Sequence, residues 1–242
     1  MLSRIFPTTI FYLRLTWVVF RSAAIARWGN YDGEAWAQSS LRVKNWLELA
    51  GVRMEISGIH HLEELKGPVV IVGNHMSMME TMVLPGVIQP LRPVTYVVKE
   101  ALLHYPIFKY IMRSREPIAV TRINPRQDLK IVMQQGVGTL QKGVSVIVFP
   151  QTTRTNEFEP AQMSSIGVKL AKKAGVPIVP LALKTDCWKN GKLSKDFGKI
   201  DGKGRAFFAF GPPLVVEGKG DAEQEKINAF IAEKLSHWSE MV

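Results

Sequence analysis

The chain has very little cysteine and comparatively few acidic residues. Cys187 is the single cysteine among 242 residues, which excludes an internal disulfide and a cysteine-based metal cluster. A lone thiol fits a reducing compartment, and no neighbouring pattern indicates that this one is activated. Lys and Arg number 31 against 21 Asp and Glu, giving a formal net charge of +10. This balance favours an anionic partner such as a lipid surface, nucleic acid, a phosphorylated substrate or an acidic protein.

Several common catalytic and binding patterns are also missing from the sequence. It contains no serine in a nucleophile elbow and no paired-histidine zinc motif. Nucleic-acid binding would rest on the positive charge alone, because no helix-turn-helix, ribonucleoprotein or zinc-finger pattern accompanies it. We therefore expect no bound metal and no nucleic-acid partner. Hydrophobic residues make up 46% of the chain, which is enough to bury a sizeable core.

The first 50 residues mix apolar, aromatic and basic side chains. Residues 5–20 are largely apolar, but Arg14 would lie near the middle of any membrane-spanning helix, where a charge is costly. No cleavage site of a secretory signal follows this segment. A second helical pattern covers residues 34–50 after a turn rich in glycine and asparagine. We expect residues 1–50 to form a helical hairpin that docks in the membrane interface. The alternative is a soluble helical cap that packs on the core.

Strand and helix patterns alternate over residues 51–242. The runs typical of strands lie at 52–56, 69–72, 94–98, 118–120, 144–149, 178–183 and 205–210. Helical patterns with one apolar face separate most of these runs. This alternation predicts an α/β domain with a mostly parallel or mixed central sheet flanked by helices.

Polar and charged residues follow four of the predicted strands. His75 follows the second strand, Lys99 the third, Arg122 the fourth, and residues 151–154 the fifth. Ligands of open α/β sheets bind beyond the carboxyl ends of the strands. If these strands are parallel, one edge of the sheet collects a histidine and three cations.

His75 and Glu80 are candidates for a base and its orienting acid. Their separation of five positions does not suit two neighbours on one helix. It does suit a histidine in the strand-to-helix loop and a carboxylate in the first turn of the next helix. The carboxylate then fixes the ring tautomer and leaves the other ring nitrogen free to take a proton. Because no protein nucleophile is evident, a substrate hydroxyl would be the nucleophile. On spacing alone, a structural role for His75 stays open.

The cations and the loop after the fifth strand indicate an anion site. Arg154 and Arg122 offer planar forks of donors to a phosphate, and Lys99 offers a point charge. Thr152 and Thr153 add hydroxyls and backbone donors that suit a phosphate or an oxyanion. Taken singly, each cation is more often a solvated surface charge.

The order of these motifs resembles the glycerolipid acyltransferase superfamily, which includes the 1-acylglycerol-3-phosphate acyltransferases. The matching blocks are NHMSMME at 74–80, Lys99 with Pro106 and Arg122, FPQTTRT at 149–155, and VPIVP at 176–180. Glu80 stands where the family has Asp, which keeps the charge on a longer side chain. Gln151 and Thr152 stand where the family has Glu and Gly, which affects the acceptor more than the reaction.

The resemblance implies an O-acyltransferase of phospholipid biosynthesis. It would move a fatty acyl group from acyl carrier protein or coenzyme A to a hydroxyl of a lysophospholipid similar to lysophosphatidic acid. His75 would be the general base and Glu80 its partner. The implied substrate-binding residues are Asn74, Ser77, Lys99, Arg122, Gln151, Thr152, Thr153 and Arg154.

The resemblance also implies no bound cofactor and a membrane-associated location on the cytoplasmic face. Two alternatives stay open. One is a non-catalytic lipid-binding or regulatory protein on the same fold. The other is an acyltransferase for a lipid acceptor without a glycerophosphate group.

Overall fold

The computed structural model describes residues 6–151, 153–192 and 194–241, so Thr152 lies outside the described residues. Two helices come first, α1 (Pro7–Arg27) and α2 (Gly33–Leu49). The Asp32 side chain caps α2 by accepting a hydrogen bond from the Ala35 N–H at 2.8 Å. The predicted hairpin-forming helices therefore exist, and α2 begins and ends within one residue of its predicted bounds.

The rest of the chain alternates strands with helices. The strands are β1 (Arg53–Ser57), β2 (Val70–Gly73), β3 (Val94–Lys99), β4 (Ile118–Val120), β5 (Ser145–Val148), β6 (Ile178–Lys184) and β7 (Arg205–Phe210). The helices are α3 (His60–Glu63), α4 (Met79–Ile88), α5 (Phe108–Ser114), α6 (Pro125–Gln141), α7 (Ile166–Ala174) and α8 (Asp221–Glu240). Short 3₁₀ turns follow β3 at Glu100–Leu103 and precede α7 at Pro160–Gln162.

The seven strands form one mixed sheet in the order β1-β7-β6-β2-β5-β3-β4. Neighbouring strands are parallel except β6 and β7, which are antiparallel. Strands β2 to β6 therefore all end at the same edge of the sheet, which we call the carboxyl edge. The predicted α/β fold with a mixed central sheet flanked by helices is confirmed.

Each face of the sheet buries its own hydrophobic core. Successive side chains of a strand point to opposite faces. Accordingly, Ile71 joins the core under α1, α2 and α4, which includes Leu47. Val70 and Val72 join the core under α6, α7 and α8, which includes Leu170. A strand covered on both faces needs a continuous apolar run, and β2 has one.

Helix α1 has both a buried and an exposed apolar face. Its inner face joins the sheet core through Phe11, Leu15 and Val18. Its outer face leaves Leu13, Trp17 and Phe20 half or more exposed, and Phe6 just before the helix is exposed to a similar extent. Among the described residues, α1 is the one helix long and apolar enough to cross a membrane, although a core helix or a signal sequence passes the same test. The helices thus cap the core and also present an apolar surface, and their docking on lipid stays a prediction.

Candidate active site

The carboxyl edge of the sheet opens into a pocket of about 390 Å³. Five of the residues predicted to form the site line this pocket: His75, Lys99, Arg122, Thr153 and Arg154. They come from the ends of β2, β3, β4 and β5. Parallel strands therefore bring together side chains that lie up to 79 positions apart in the sequence.

His75 lies in the loop between β2 and α4, and two contacts hold its ring. Its Nδ1 lies 2.8 Å from Oε1 of Glu80 and donates to that carboxylate. The ring also stacks on Phe149, with centroids 4.5 Å apart and planes within 4° of each other. Because Nδ1 carries the proton in this arrangement, Nε2 keeps its lone pair. His75 thus has the tautomer that a general base requires.

Glu80 lies in the first turn of α4 and is completely buried. Its Oε1 also accepts the backbone N–H groups of Met76 at 2.7 Å and Ser77 at 2.9 Å. Its Oε2 accepts the hydroxyls of Ser77 at 3.0 Å and Thr185 at 2.6 Å. Burial raises the pKa of Glu80, but the hydrogen bond and charge of His75, followed by the other bonds, lower that pKa to below its ordinary value. The carboxylate therefore stays ionised at neutral pH.

The residues around His75 fix its main chain to the neighbouring strands. Gly73 passes β6 so closely that a Cβ atom would lie 2.9 Å from the Leu181 carbonyl oxygen. The Asn74 side chain then bonds both backbone groups of Leu183, at 2.8 Å each. Asn74 and the Ser77 hydroxyl therefore lie behind the His75–Glu80 pair, where they position the loop. Direct contact of either with a substrate stays a prediction.

Gln151 supports His75 from the opposite side. It is buried, and its Oε1 accepts the His75 N–H at 2.6 Å. The His75 carbonyl in turn accepts the N–H of Thr155 at 3.1 Å. A glutamate at position 151 would accept the same bond, so the amide preserves the contact and removes a negative charge. The departure from the family pattern at Gln151 is thus compatible with the geometry around His75.

Arg154 reaches across the pocket to the ring of His75. Its Nε lies 3.4 Å from Nε2 of His75. Its Nη1 donates to the Lys195 carbonyl at 3.1 Å, and its Nη2 pairs with the Asp196 carboxylate at 2.7 Å. Nη2 also approaches the Met78 sulfur at 3.6 Å. The guanidinium is therefore already engaged by protein groups on all three nitrogens.

Arg122 lies in a turn just after β4 with a backbone φ of 62°. Asp128 shapes this turn by accepting the N–H groups of Thr121 at 2.9 Å and Arg122 at 2.7 Å. Burial lowers the pKa of Arg122, the positive charge of Arg154 lowers it further, and Asp128 opposes both. The positive charges of Arg122 and Arg154 thus repel each other across the pocket. Lys99 ends β3 and is exposed at the same pocket.

Beyond the charged end, the pocket is apolar and runs between the sheet and the N-terminal helices. Its apolar wall includes Leu15, Val18, Trp36, Val43, Met82, Tyr96, Phe108 and Ile111. Among the residues that the structure describes, no cluster of His, Cys, Asp or Glu is arranged to hold a metal ion. The site therefore combines a base, an anion-binding end and an apolar cavity.

Three residues of the site are absent from the sequence-based set. Thr185 donates a hydrogen bond to the Glu80 carboxylate. It directly follows β6, so the expectation that ligand-binding residues lie just beyond the ends of strands could have identified it. Lys195 and Asp196 reach the pocket from the long segment between β6 and β7. Nothing in that lysine-rich stretch distinguishes these two residues from their neighbours.

Comparison with known proteins identifies the family to which the chain belongs. A model of the family described as Acyltransferase matches residues 53–184, and the chain belongs to this family. The matched range contains all four motif blocks. Helices α1 and α2 precede it, and the segment with Lys195 and Asp196 follows it.

The chain is similar to 1-acyl-sn-glycerol-3-phosphate acyltransferases. It is 32% identical to the Pseudomonas aeruginosa protein over 84% of this chain and 77% of that one. It is 25% identical to a chloroplastic Brassica napus relative, over 54% of this chain but only 37% of the relative. The crystal structure of the 1-acyl-sn-glycerophosphate acyltransferase of Thermotoga maritima has the same fold. That structure gives a TM-score of 0.70 at 18% identity and covers 96% of this chain and 94% of its own.

Proposed function

We propose that the protein transfers a fatty acyl group from a thioester to the free hydroxyl of a 1-acylglycerol 3-phosphate type of lysophospholipid. The observation that carries this proposal is the His75–Glu80 pair at a pocket that is cationic at one end and apolar beyond. The names of the relatives favour the same acceptor.

In this mechanism the acceptor hydroxyl is the nucleophile and His75 is the base. Nε2 of His75 takes the hydroxyl proton as the oxygen attacks the thioester carbonyl. Glu80 holds the ring and stabilises the positive charge that develops on it. The tetrahedral intermediate then expels the thiolate, and His75 returns the proton to the sulfur. The products are an ester and a free thiol, and no acyl-enzyme forms.

The remaining predicted residues take supporting roles in this proposal. Lys99, Arg122 and Arg154 hold the acceptor phosphate. Donors in the loop 151–154, which contains Gln151, Thr152 and Thr153, stabilise the oxyanion. Asn74 and Ser77 keep the His75 loop in place. The donor is acyl-coenzyme A or acyl carrier protein, and the net charge of +10 suits either acidic donor.

The apolar part of the pocket suits a fatty acyl chain. It lies between the sheet and the inner faces of α1 and α2, where Leu15 and Val43 form part of its wall. A chain entering here leaves its carbonyl near His75. The N-terminal helices therefore have a direct part in holding the substrate, in addition to their part in the core.

The outer face of α1 suits the membrane interface. It supports the proposal that residues 1–50 dock the α/β acyltransferase domain, residues 51–242, on the membrane. Trp17 is half exposed, and the guanidinium groups of Arg21 and Arg42 lie 5.5 and 6.0 Å from its ring centre. Aromatic rings flanked by arginine are typical of helices that lie among lipid headgroups. We place the protein on the cytoplasmic face, in agreement with its single buried cysteine.

Product analysis tests the proposed reaction. Purified protein is given mixed lysophospholipids with acyl-coenzyme A or acyl carrier protein, and products are identified by mass spectrometry. His75→Ala should lower turnover by about 10²–10⁴-fold, because it removes the general base. His104→Ala is the matched control. No transfer to any lipid by the native protein would favour the non-catalytic alternative, and full activity in His75→Ala would contradict the mechanism.

Vesicle co-sedimentation tests the docking face. Replacing Trp17 and Phe20 together with glutamate should weaken binding to anionic vesicles, since both side chains lie on the exposed face of α1. Val215→Glu is the control, because Val215 is also well exposed but lies far along the chain, beyond β7. Equal binding by both variants would refute the assignment of this face.

A further inference from the structure

The segment 185–204 between β6 and β7 extends the anion site beyond the region that matches the family. Lys195 donates from Nζ to the Thr153 hydroxyl at 2.8 Å and to the Arg154 carbonyl at 3.2 Å. The neighbouring Asp196 pairs with the Arg154 guanidinium at 2.7 Å. Two consecutive residues of this segment, one cationic and one anionic, thus contact the motif that carries Arg154.

Helix α1 holds the segment at both ends of the part that reaches the pocket. The Tyr12 hydroxyl donates to the Gly198 carbonyl at 2.7 Å and accepts the indole N–H of Trp188 at 3.1 Å. The Thr8 hydroxyl accepts the Ile200 N–H at 3.1 Å. Lys195 and Asp196 therefore lie in a loop whose two ends are held by α1, which limits the positions that their side chains can reach.

Asp196 occupies the place that an anionic ligand of Arg154 would take. Its carboxylate and a phosphate group offer a guanidinium the same kind of acceptor oxygens. Every nitrogen of Arg154 already has a protein partner. A phosphate can therefore gain the full Arg154 fork only if Asp196 leaves it.

Lys195 is placed to bind the same ligand. Within the described part of the chain, its two bonds use two of the three ammonium donors. The side chain is exposed and lines the pocket together with Arg122 and Arg154. Removing the Asp196 carboxylate from this group leaves three cations around one space.

We propose that Lys195 and Asp196 determine how the enzyme recognises the anionic group of its acceptor. Asp196 holds Arg154 in the free enzyme and exchanges with a phosphomonoester, and Lys195 then joins Arg154 in binding it. This inference rests on the proposed acceptor class.

The proposal predicts effects of opposite sign at adjacent residues. Asp196→Asn keeps the shape but weakens the internal competitor, so affinity for a phosphomonoester should rise by about two- to fivefold. Lys195→Gln removes a cation from the binding site, so affinity for the phosphomonoester should fall by about the same factor. Asp201→Asn and Lys199→Gln are matched controls, because they make the same charge changes at exposed positions of the same segment.

The experiment uses the full chain in detergent micelles at constant ionic strength. Glycerol 3-phosphate is the probe, and its binding is followed by phosphorus NMR titration, which does not depend on turnover. The proposal stands if Asp196→Asn binds more tightly than Asp201→Asn while Lys195→Gln binds more weakly than Lys199→Gln. It is overturned if each variant binds as its control does. Lys195→Gln alone decides the matter if Asp196→Asn does not fold.

A parallel acyl-transfer assay separates this inference from the proposed function. Opposite shifts in binding without transfer to any lysophospholipid would leave the anion site in place and reject the proposed reaction. Normal transfer without the two shifts would support the reaction and reject the roles of Lys195 and Asp196.

Discussion

Replacing Thr185 with valine removes one hydroxyl from the buried site and leaves a side chain of nearly the same shape. The lost bond is the 2.6 Å contact with Oε2 of Glu80. That distance is typical of a hydroxyl bound to a charged carboxylate. Oε2 keeps its bond from the Ser77 hydroxyl at 3.0 Å, so the substitution removes one of these two hydroxyl donors and does not leave the oxygen without a donor.

The expected loss in unfolding free energy is about 2 kcal/mol, the middle of the range for hydrogen bonds to charged groups. For a chain of this size, that loss lowers Tm by roughly 4–8 °C. The same bond is one of the causes that lower the pKa of Glu80, so Thr185→Val should raise that pKa. We expect kcat to fall by about tenfold with little change in KM, because the partner of His75 is less firmly held.

Urea unfolding at pH 7 and at steps down to pH 4 measures the stability, and a pH profile of acyl transfer measures the catalytic effect. Because the folded pKa of Glu80 is lowered, its ionisation stabilises the fold at neutral pH, and this contribution is lost as the pH falls through that pKa. Thr185→Val should lose both stability and activity at a higher pH than the native protein. Thr185→Ser should restore both. If Thr185→Val had native stability and lost activity at the same acidic pH as the native protein, Thr185 would not stabilise the Glu80 carboxylate.

Three further predictions concern the rest of the chain. Gly167→Ala should destabilise the protein by about 1–3 kcal/mol, because the new Cβ would lie 2.5 Å from a methyl of Val72. Gly138→Ala meets nothing within 4 Å and should stabilise the protein by up to about 1 kcal/mol through its higher helix propensity. Thermal unfolding of both variants measures the difference. Burial raises the pKa of the Cys187 thiol to about 12, so iodoacetamide should modify it at pH 8 only after denaturant is added, and rapid native alkylation detected by mass spectrometry would contradict this. Glu80→Gln should flatten the loss of stability between neutral pH and pH 4 in urea unfolding, since the native carboxylate has a lowered pKa; an unchanged slope would show that other groups dominate.

The strands and the placement of His75 and Glu80 could be predicted from the sequence. Each predicted strand begins and ends within one residue of the observed one, because buried strands need uninterrupted apolar runs that stand out from their surroundings. His75 in a loop and Glu80 in the first turn of a helix follow from their spacing. The predicted meeting of the cations at one edge follows from the parallel direction of β2 to β5.

Other features depend on contacts that no local pattern records. The apolar run of β7 does not reveal its direction, which depends on its pairing with β6. Asp221 looks like an N-cap of the last helix, but the cap position belongs to Gly220, which adopts a left-handed φ of 89°, and Asp221 is the first helical residue. Asp196 meets Arg154 only because a long segment folds back over the pocket.

The reversed direction of β7 has a consequence for the segment that joins it to β6. Since β6 ends where β7 begins, the segment 185–204 leaves and re-enters the sheet at the same edge as His75. Both ends of the segment are therefore anchored at strand ends beside the loop that carries His75. Changes in its length or composition can alter what the pocket accepts while every strand keeps its register.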